Sequence, residues 1–132
     1  MLASWLISIL LTAPSPVLSP LIPIAHAEEN KQTLWIEKLI ACESMGSTTI
    51  RVLDTNGKYS YGLFQFQLST WLSYGKEFGA TKENIYNGEL QRRVAKSMLD
   101  AGGWRHWYHC SRRVSSSLYP YPQISFVGSQ NK

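Results

Sequence analysis

Glu43 stands where an acid is out of place. It closes the stretch Leu39-Ile40-Ala41-Cys42-Glu43-Ser44. Ile36, Leu39, Ile40 and Glu43 recur at i, i+3, i+4 and i+7, the stripe that one face of a helix buries. A carboxylate on that stripe is poorly solvated, and at a helix C-terminus it meets the negative end of the helix dipole. Both effects favour the protonated form. A carboxyl that keeps its proton near neutral pH is what general acid catalysis requires. The simpler reading is a Glu whose stem packs while its head reaches water, so the surrounding residues must decide.

A second group lies at Ser60-Tyr61-Gly62-Leu63-Phe64-Gln65-Phe66-Gln67. In an extended segment the two Phe side chains face one way and the two Gln side chains the other. The Phe face would join the core. The Gln face offers amides, which donate and accept and so suit sugar hydroxyls and N-acetyl groups. Gly62 would let the backbone come close to a ligand. Asp54, 11 residues after Glu43, is a candidate second carboxylate, but the preferred reading is that it opens the Asp-Thr-Asn-Gly turn. Trp104, Trp107 and Tyr108 cluster just before Cys110. Flat rings make good platforms for sugar faces, although bulky aromatics more often fill a core. His106, His109 and Cys110 invite a metal, yet no fourth ligand accompanies them and Cys110 has a better use, so no metal and no cofactor is expected.

Together, Cys42-Glu43-Ser44, a polar hairpin, and Ser60-Tyr61-Gly62-Leu63-Phe64-Gln65 resemble the lysozyme-like superfamily, most of all the lytic transglycosylases with an SLT-type domain. The resemblance is strongest from Leu34 to about Trp71. It implies a mainly helical α+β fold, lysozyme-like, with a small β-hairpin after the helix that carries the catalytic acid. It implies an enzyme that cleaves the β-1,4 bond of peptidoglycan glycan strands, with Glu43 as the single acid/base. Ser60, Tyr61, Gln65 and Gln67 would bind substrate, and Tyr108 stands in for the Ala-Tyr-Asn motif that the family carries late in the domain. Animal-type lysozymes place an Asp just before the Tyr-Gly pair, where this chain has Ser60. A hydroxyl cannot serve as the charged partner, which favours a transglycosylase over a two-carboxylate hydrolase. The alternatives are a lysozyme-type hydrolase using Asp54 and a non-catalytic glycan-binding module.

The elements that must hold these residues are legible in outline. A first helix is expected over Thr33 to Ser44, closed by Gly46. Thr48 to Asp54 is β-prone, Asn56-Gly57 is a strong hairpin signal, and Lys58 to Tyr61 would return. Ser69 or Thr70 would cap a helix through Trp71, Leu72 and Phe78, ending at Gly79. Asn87 would cap a longer helix with Leu90, Val94 and Met98 on one face, closed by Gly102-Gly103. Trp104 to Cys110 reads as one more short helix or turn.

The flanks read differently. Met1 to Ala27 has the apolar run, the Pro/Ser-rich stretch and the Ala25-His26-Ala27 pattern of a secretory signal peptide. Its removal would leave 105 of the 132 residues: a polar leader over 28–32, the catalytic domain over 33–111, and a loosely ordered Ser- and Pro-bearing tail over 112–132. In an exported protein the two cysteines, Cys42 and Cys110, are expected to form a disulfide. The net charge of +4, with Arg92, Arg93, Lys96, Arg105, Arg112 and Arg113 late in the chain, suits a polyanionic envelope surface. Nucleic acid is not expected, because no binding motif is present. The expected location is outside the cytoplasm, periplasmic or extracellular and cell-wall associated, the expected state monomeric, with a secretion or pilus assembly as a further candidate partner.

Overall fold

The computed structural model describes residues 24–123. Helix α1 runs over Ile24–Ser44, β1 over Arg51–Leu53, β2 over Tyr59–Tyr61 and β3 over Phe66–Gln67. Helix α2 follows at Leu68–Gly75, α3 at Gly88–Asp100 and α4 at Tyr108–Ser117. Single 3-10 turns at Lys76–Phe78 and Trp104–Trp107 join α2 to the loop after it and lead into α4. The three strands form one antiparallel sheet in the order β1-β2-β3, with Val52 opposite Ser60 and Ser60 opposite Gln67.

The stripe anticipated on α1 is buried: Ile36, Leu39 and Ile40 are in the core, joined by Trp35. The helix begins at Ile24, well before Thr33, and so takes in the supposed leader and the last residues of the supposed signal segment. Gln32 explains part of the difference. It is buried, and its amide donates to Asp100 and to the carbonyl of Pro122, so the end of the leader is anchored while Glu29, Asn30 and Lys31 stay exposed. Residues 1–23 lie outside the described residues.

The expected loose tail is corrected over the part that is described. Helix α4 carries the chain to Ser117, burying Val114 and Ser111. Beyond it, the carbonyl of Tyr119 accepts from the Trp35 indole, and Tyr121 packs edge-on to Trp35 while its hydroxyl donates to Asp100. Pro120 and Pro122 follow the helix but do not free the chain: Tyr119 and Tyr121 anchor it on either side of Pro120, and Gln123 beyond Pro122 donates to the Leu99 carbonyl. Residues 124–132 lie outside the described residues.

Other boundaries fall close to expectation. Asn87 caps α3 by accepting from the Leu90 amide, and Gly79 closes the turn after α2 at φ +80°. Helix α2 starts at Leu68 with Gln67 in the capping position and no side-chain cap, because β3 leads straight into the helix.

The segment between β2 and β3 is a turn, and its geometry is set from α3. Gln91 is completely buried. Its carbonyl oxygen accepts from the Phe64 amide at 3.1 Å, and its Nε2 donates to the carbonyls of Tyr61 and Ile85. The carbonyl of Phe64 accepts in turn from the Trp107 indole at 2.7 Å. Gly62, at φ +70°, makes room for this amide: a Cβ there would sit 2.4 Å from Gln91 Nε2. The close approach expected of Gly62 is therefore to Gln91, not to a ligand.

A disulfide joins Cys42 on α1 to Cys110 on α4, 68 residues apart. A loop of that length corresponds to about 4 kcal/mol of unfolded-state entropy.

Replacing Gln91 by Leu keeps much of the volume but leaves the Phe64 amide and two carbonyls unpaired in the core. The expected loss is about 3 kcal/mol in urea unfolding. A loss below about 1 kcal/mol would show that the amide does not hold the turn.

Candidate active site

Helix α1 delivers Glu43 to the floor of a cleft of about 550 Å³. The sheet supplies one wall through Asp54, Ser60, Gln65 and Gln67, and the start of α4 supplies the other through Tyr108, His109 and Cys110. The disulfide ties the α4 wall to the acid's own helix, at the residue before the acid.

Glu43 is half-buried, and its carboxyl is pushed up to about 7. Loss of solvation by burial is the larger cause, and the negative charge of Asp54 is the second. The acid therefore holds its proton over much of the range in which an ordinary Glu is ionised.

Asp54 does both things that the sequence offered as alternatives. Its backbone carbonyl accepts from Gly57 and closes the turn, while its side chain lines the cleft with Glu43. The preference for a purely local role is corrected. Two donors converge on one carboxylate oxygen: Ser60 Oγ at 2.5 Å and Gln67 Nε2 at 2.8 Å, both on Oδ2. Ser60 and Gln67 sit opposite one another in the β2–β3 register, which places both beside the end of β1.

The residues expected to bind substrate therefore separate. Ser60 and Gln67 line the cleft with their polar groups engaged, since the Gln67 carbonyl also accepts from Asn56. Gln65 lines it with its amide nitrogen turned back to the Gly62 carbonyl at 2.9 Å, and its amide oxygen has no donor among the described residues. Gln65 reaches this place through a left-handed backbone at φ +51°, not through strand alternation. Tyr108 is exposed on the rim. Tyr61 is not in the cleft. It follows Ser60 on β2 and so points to the other face, where it packs edge-on to Tyr86 at 5.7 Å.

The aromatic cluster divides as well. Trp107 is buried against Phe64 and Phe66, while Trp104 is at the surface and stacks on Tyr108. Val52, Thr70, His106 and His109 also line the cleft and were not singled out as binding residues. Among the described residues no group of three or more His, Cys, Asp or Glu side chains is placed to hold a metal, and Cys110 is in the disulfide.

A proton-bearing Glu at the end of a helix, a small antiparallel sheet forming one wall beside it, and helices closing the core behind it define a lysozyme-like α+β domain. Residues 29–110 match the transglycosylase-like domain family, and the chain belongs to it. Over 84 residues it is 36% identical to resuscitation-promoting factor Rpf1 of Corynebacterium glutamicum. That match takes in 64% of this chain and 42% of the relative, so the chain spans less than half of that protein's length. No solved structure matches the chain.

The raised Glu43 carboxyl has a consequence for stability. Folding favours its protonated form, so the contribution is complete below the ordinary Glu value and is lost as pH rises through about 7. Gln cannot ionise. Glu43→Gln is expected to match the parent protein near pH 4 and to exceed it by about 1 to 2 kcal/mol at pH 8, after allowance for partial exposure. Thermal melts of both proteins across pH 4 to 9 check this; a constant difference across that range contradicts it.

Proposed function

We propose that the protein is an exported peptidoglycan-cleaving enzyme that acts as a lytic transglycosylase, with Glu43 as its acid/base. The observation that carries this reading is a carboxyl pushed up to about 7 in a cleft lined with polar side chains. Membership of the transglycosylase-like family and the likeness to a resuscitation-promoting factor support it. The disulfide is compatible with an oxidising compartment, and no helix among the described residues is long and apolar enough to cross a membrane.

In this reading the protonated Glu43 donates to the oxygen of the β-1,4 bond between N-acetylmuramic acid and N-acetylglucosamine, and that bond breaks. The resulting carboxylate then accepts the proton of the muramic C6 hydroxyl, whose oxygen bonds to C1. The product is a 1,6-anhydro sugar, and no water is consumed. An internal nucleophile needs no second carboxylate to activate it, because its effective concentration is already high. Asp54 supplies a negative charge beside the carbon on which positive charge develops, and it keeps Glu43 protonated. Gln65 and Tyr108 contact the sugars, while Ser60 and Gln67 act by orienting Asp54. A monomeric enzyme, with a secretion or pilus assembly as its place of work, belongs to the same reading.

A second reading has an observation of its own. Asp54 faces the cleft with Oδ1 free of any donor among the described residues, so it could partner Glu43 as a lysozyme does. Mass spectrometry of digested peptidoglycan separates the two: anhydro-muramic ends mark the transglycosylase, reducing ends the hydrolase. A glycan-binding module without turnover would yield neither.

Glu43→Gln is expected to fold and to lose wall cleavage by at least about a hundredfold. The parent's activity should fall as pH rises through about 7, where Glu43 loses its proton. Asp54→Asn removes the charge that raises Glu43, so this alkaline limb should move to lower pH. Full cleavage by Glu43→Gln, or an unmoved limb in Asp54→Asn, would overturn the assigned roles.

A further inference from the structure

The cleft does not end at Tyr108. That ring stacks on Trp104, with centroids 6.1 Å apart and planes 25° from parallel. Trp104 in turn lines a neighbouring hollow of about 640 Å³ between the later part of α4, from Ser111 to Ser116, and the chain that follows it. Arg112 lines that hollow and reaches Tyr108 on the cleft rim. Its guanidinium lies 5.5 Å from the Tyr108 ring centroid, and its Nη1 donates to the Tyr108 hydroxyl at 3.1 Å. Ser115, Ser116 and Tyr121 line the hollow with it. The two sites are therefore neighbours, linked by the contacts of Tyr108 with Trp104 and Arg112.

The chemistry of the hollow is unlike that of the cleft. No acid lines it. Among the described ion pairs Arg112 has no partner, and its side chain is exposed. Arg105 repeats the arrangement at the Trp104 ring, 5.3 Å from its centroid, and also has no acidic partner among the described ion pairs. A guanidinium resting on a ring has already given up part of its rotational freedom, and its open N–H groups form a fork that fits a carboxylate. A hollow of this volume accommodates a small ligand. The hollow is thus a cationic, mostly apolar recess without an acid, next to the cleft in which the glycan is placed.

On the reading of the function given above, that glycan bears short peptides with free carboxylates on its muramic sugars. A peptide next to the cleaved bond must leave the cleft along one of its walls. We infer that the hollow beside Trp104 receives this peptide, with Arg112 holding one of its carboxylates. The enzyme then selects strands that carry charged peptides over strands whose peptides are neutralised or absent.

The test uses the full chain with Glu43→Gln, so that substrate is bound and not consumed. Isothermal titration measures its affinity for a soluble glycan tetrasaccharide bearing stem peptides, and for the same fragment with every carboxylate converted to its methylamide. The charged fragment is expected to bind about tenfold tighter at low salt, with the gap narrowing as salt is added. Adding Arg112→Gln should weaken binding of the charged fragment to the level of the amidated one and leave the amidated one unchanged. Arg112→Lys, which keeps the charge without the fork, should restore part of the gap. Equal binding of both fragments by the parent variant would leave the hollow to another occupant, such as residues 124–132 of the chain, and overturn the inference while the function stands. So would a gap that survives Arg112→Gln. Failure to bind either fragment would overturn the function and the inference together.

Discussion

The side-chain amide of Gln91 is the contact on which the cleft depends. Buried completely on α3, it bonds a backbone N–H and two carbonyls of segments that have few ladder partners of their own. An unpaired backbone group in a core costs a good part of a domain's net stability, so the turn from Gly62 to Gln65 has one tolerable geometry. That geometry has a price in sequence: residue 62 must lack a Cβ. From it follow the left-handed conformation at Gln65, the pairing of Phe66 and Gln67 with β2, and the reach of Gln67 to Asp54. The wall of the cleft is thus built from a residue that never touches the cleft.

Electrostatics follow from the same scaffold. Glu43 owes its retained proton first to burial at the end of α1 and then to Asp54. Asp54 can exert that influence because Ser60 and Gln67 hold its carboxylate in the cleft rather than letting it turn out with the hairpin. The disulfide between Cys42 and Cys110 keeps the opposite wall against the acid's own helix. A small domain with a modest core gains from such a staple, and here it crosses the domain at the residue next to the acid.

Much of this was readable from residue order. The α1 stripe, the Asn56-Gly57 hairpin, the Asn87 cap and the likeness carried by Glu43-Ser44 and Gly62-Leu63-Phe64-Gln65 are local signals, each spanning a few residues, and the fold follows them. Gln91 gave the same kind of signal as Glu43. It lies beside Leu90 and one turn before Ala95 on the buried face of α3, and a polar residue on such a stripe calls for a partner. The start of α1 and the ordering of residues 112–123 were not readable, because low apolar content between Glu28 and Lys31 and two prolines near the end both point locally to solvated chain. Contacts over more than eighty residues, Gln32 to Pro122 and Trp35 to Tyr119, decide otherwise.

Sequence alone determined which acid stands on a buried stripe, where the hairpin turns and which two cysteines are available to each other, since these depend on period, turn chemistry and count. Only the tertiary structure decided what the acid sees. Whether Asp54 serves the turn or the cleft, whether Gln67 faces a sugar or a carboxylate, and why residue 62 is glycine all rest on neighbours brought from other elements. A side chain's direction and its hydrogen-bond partner are properties of packing, and packing is not local in the chain.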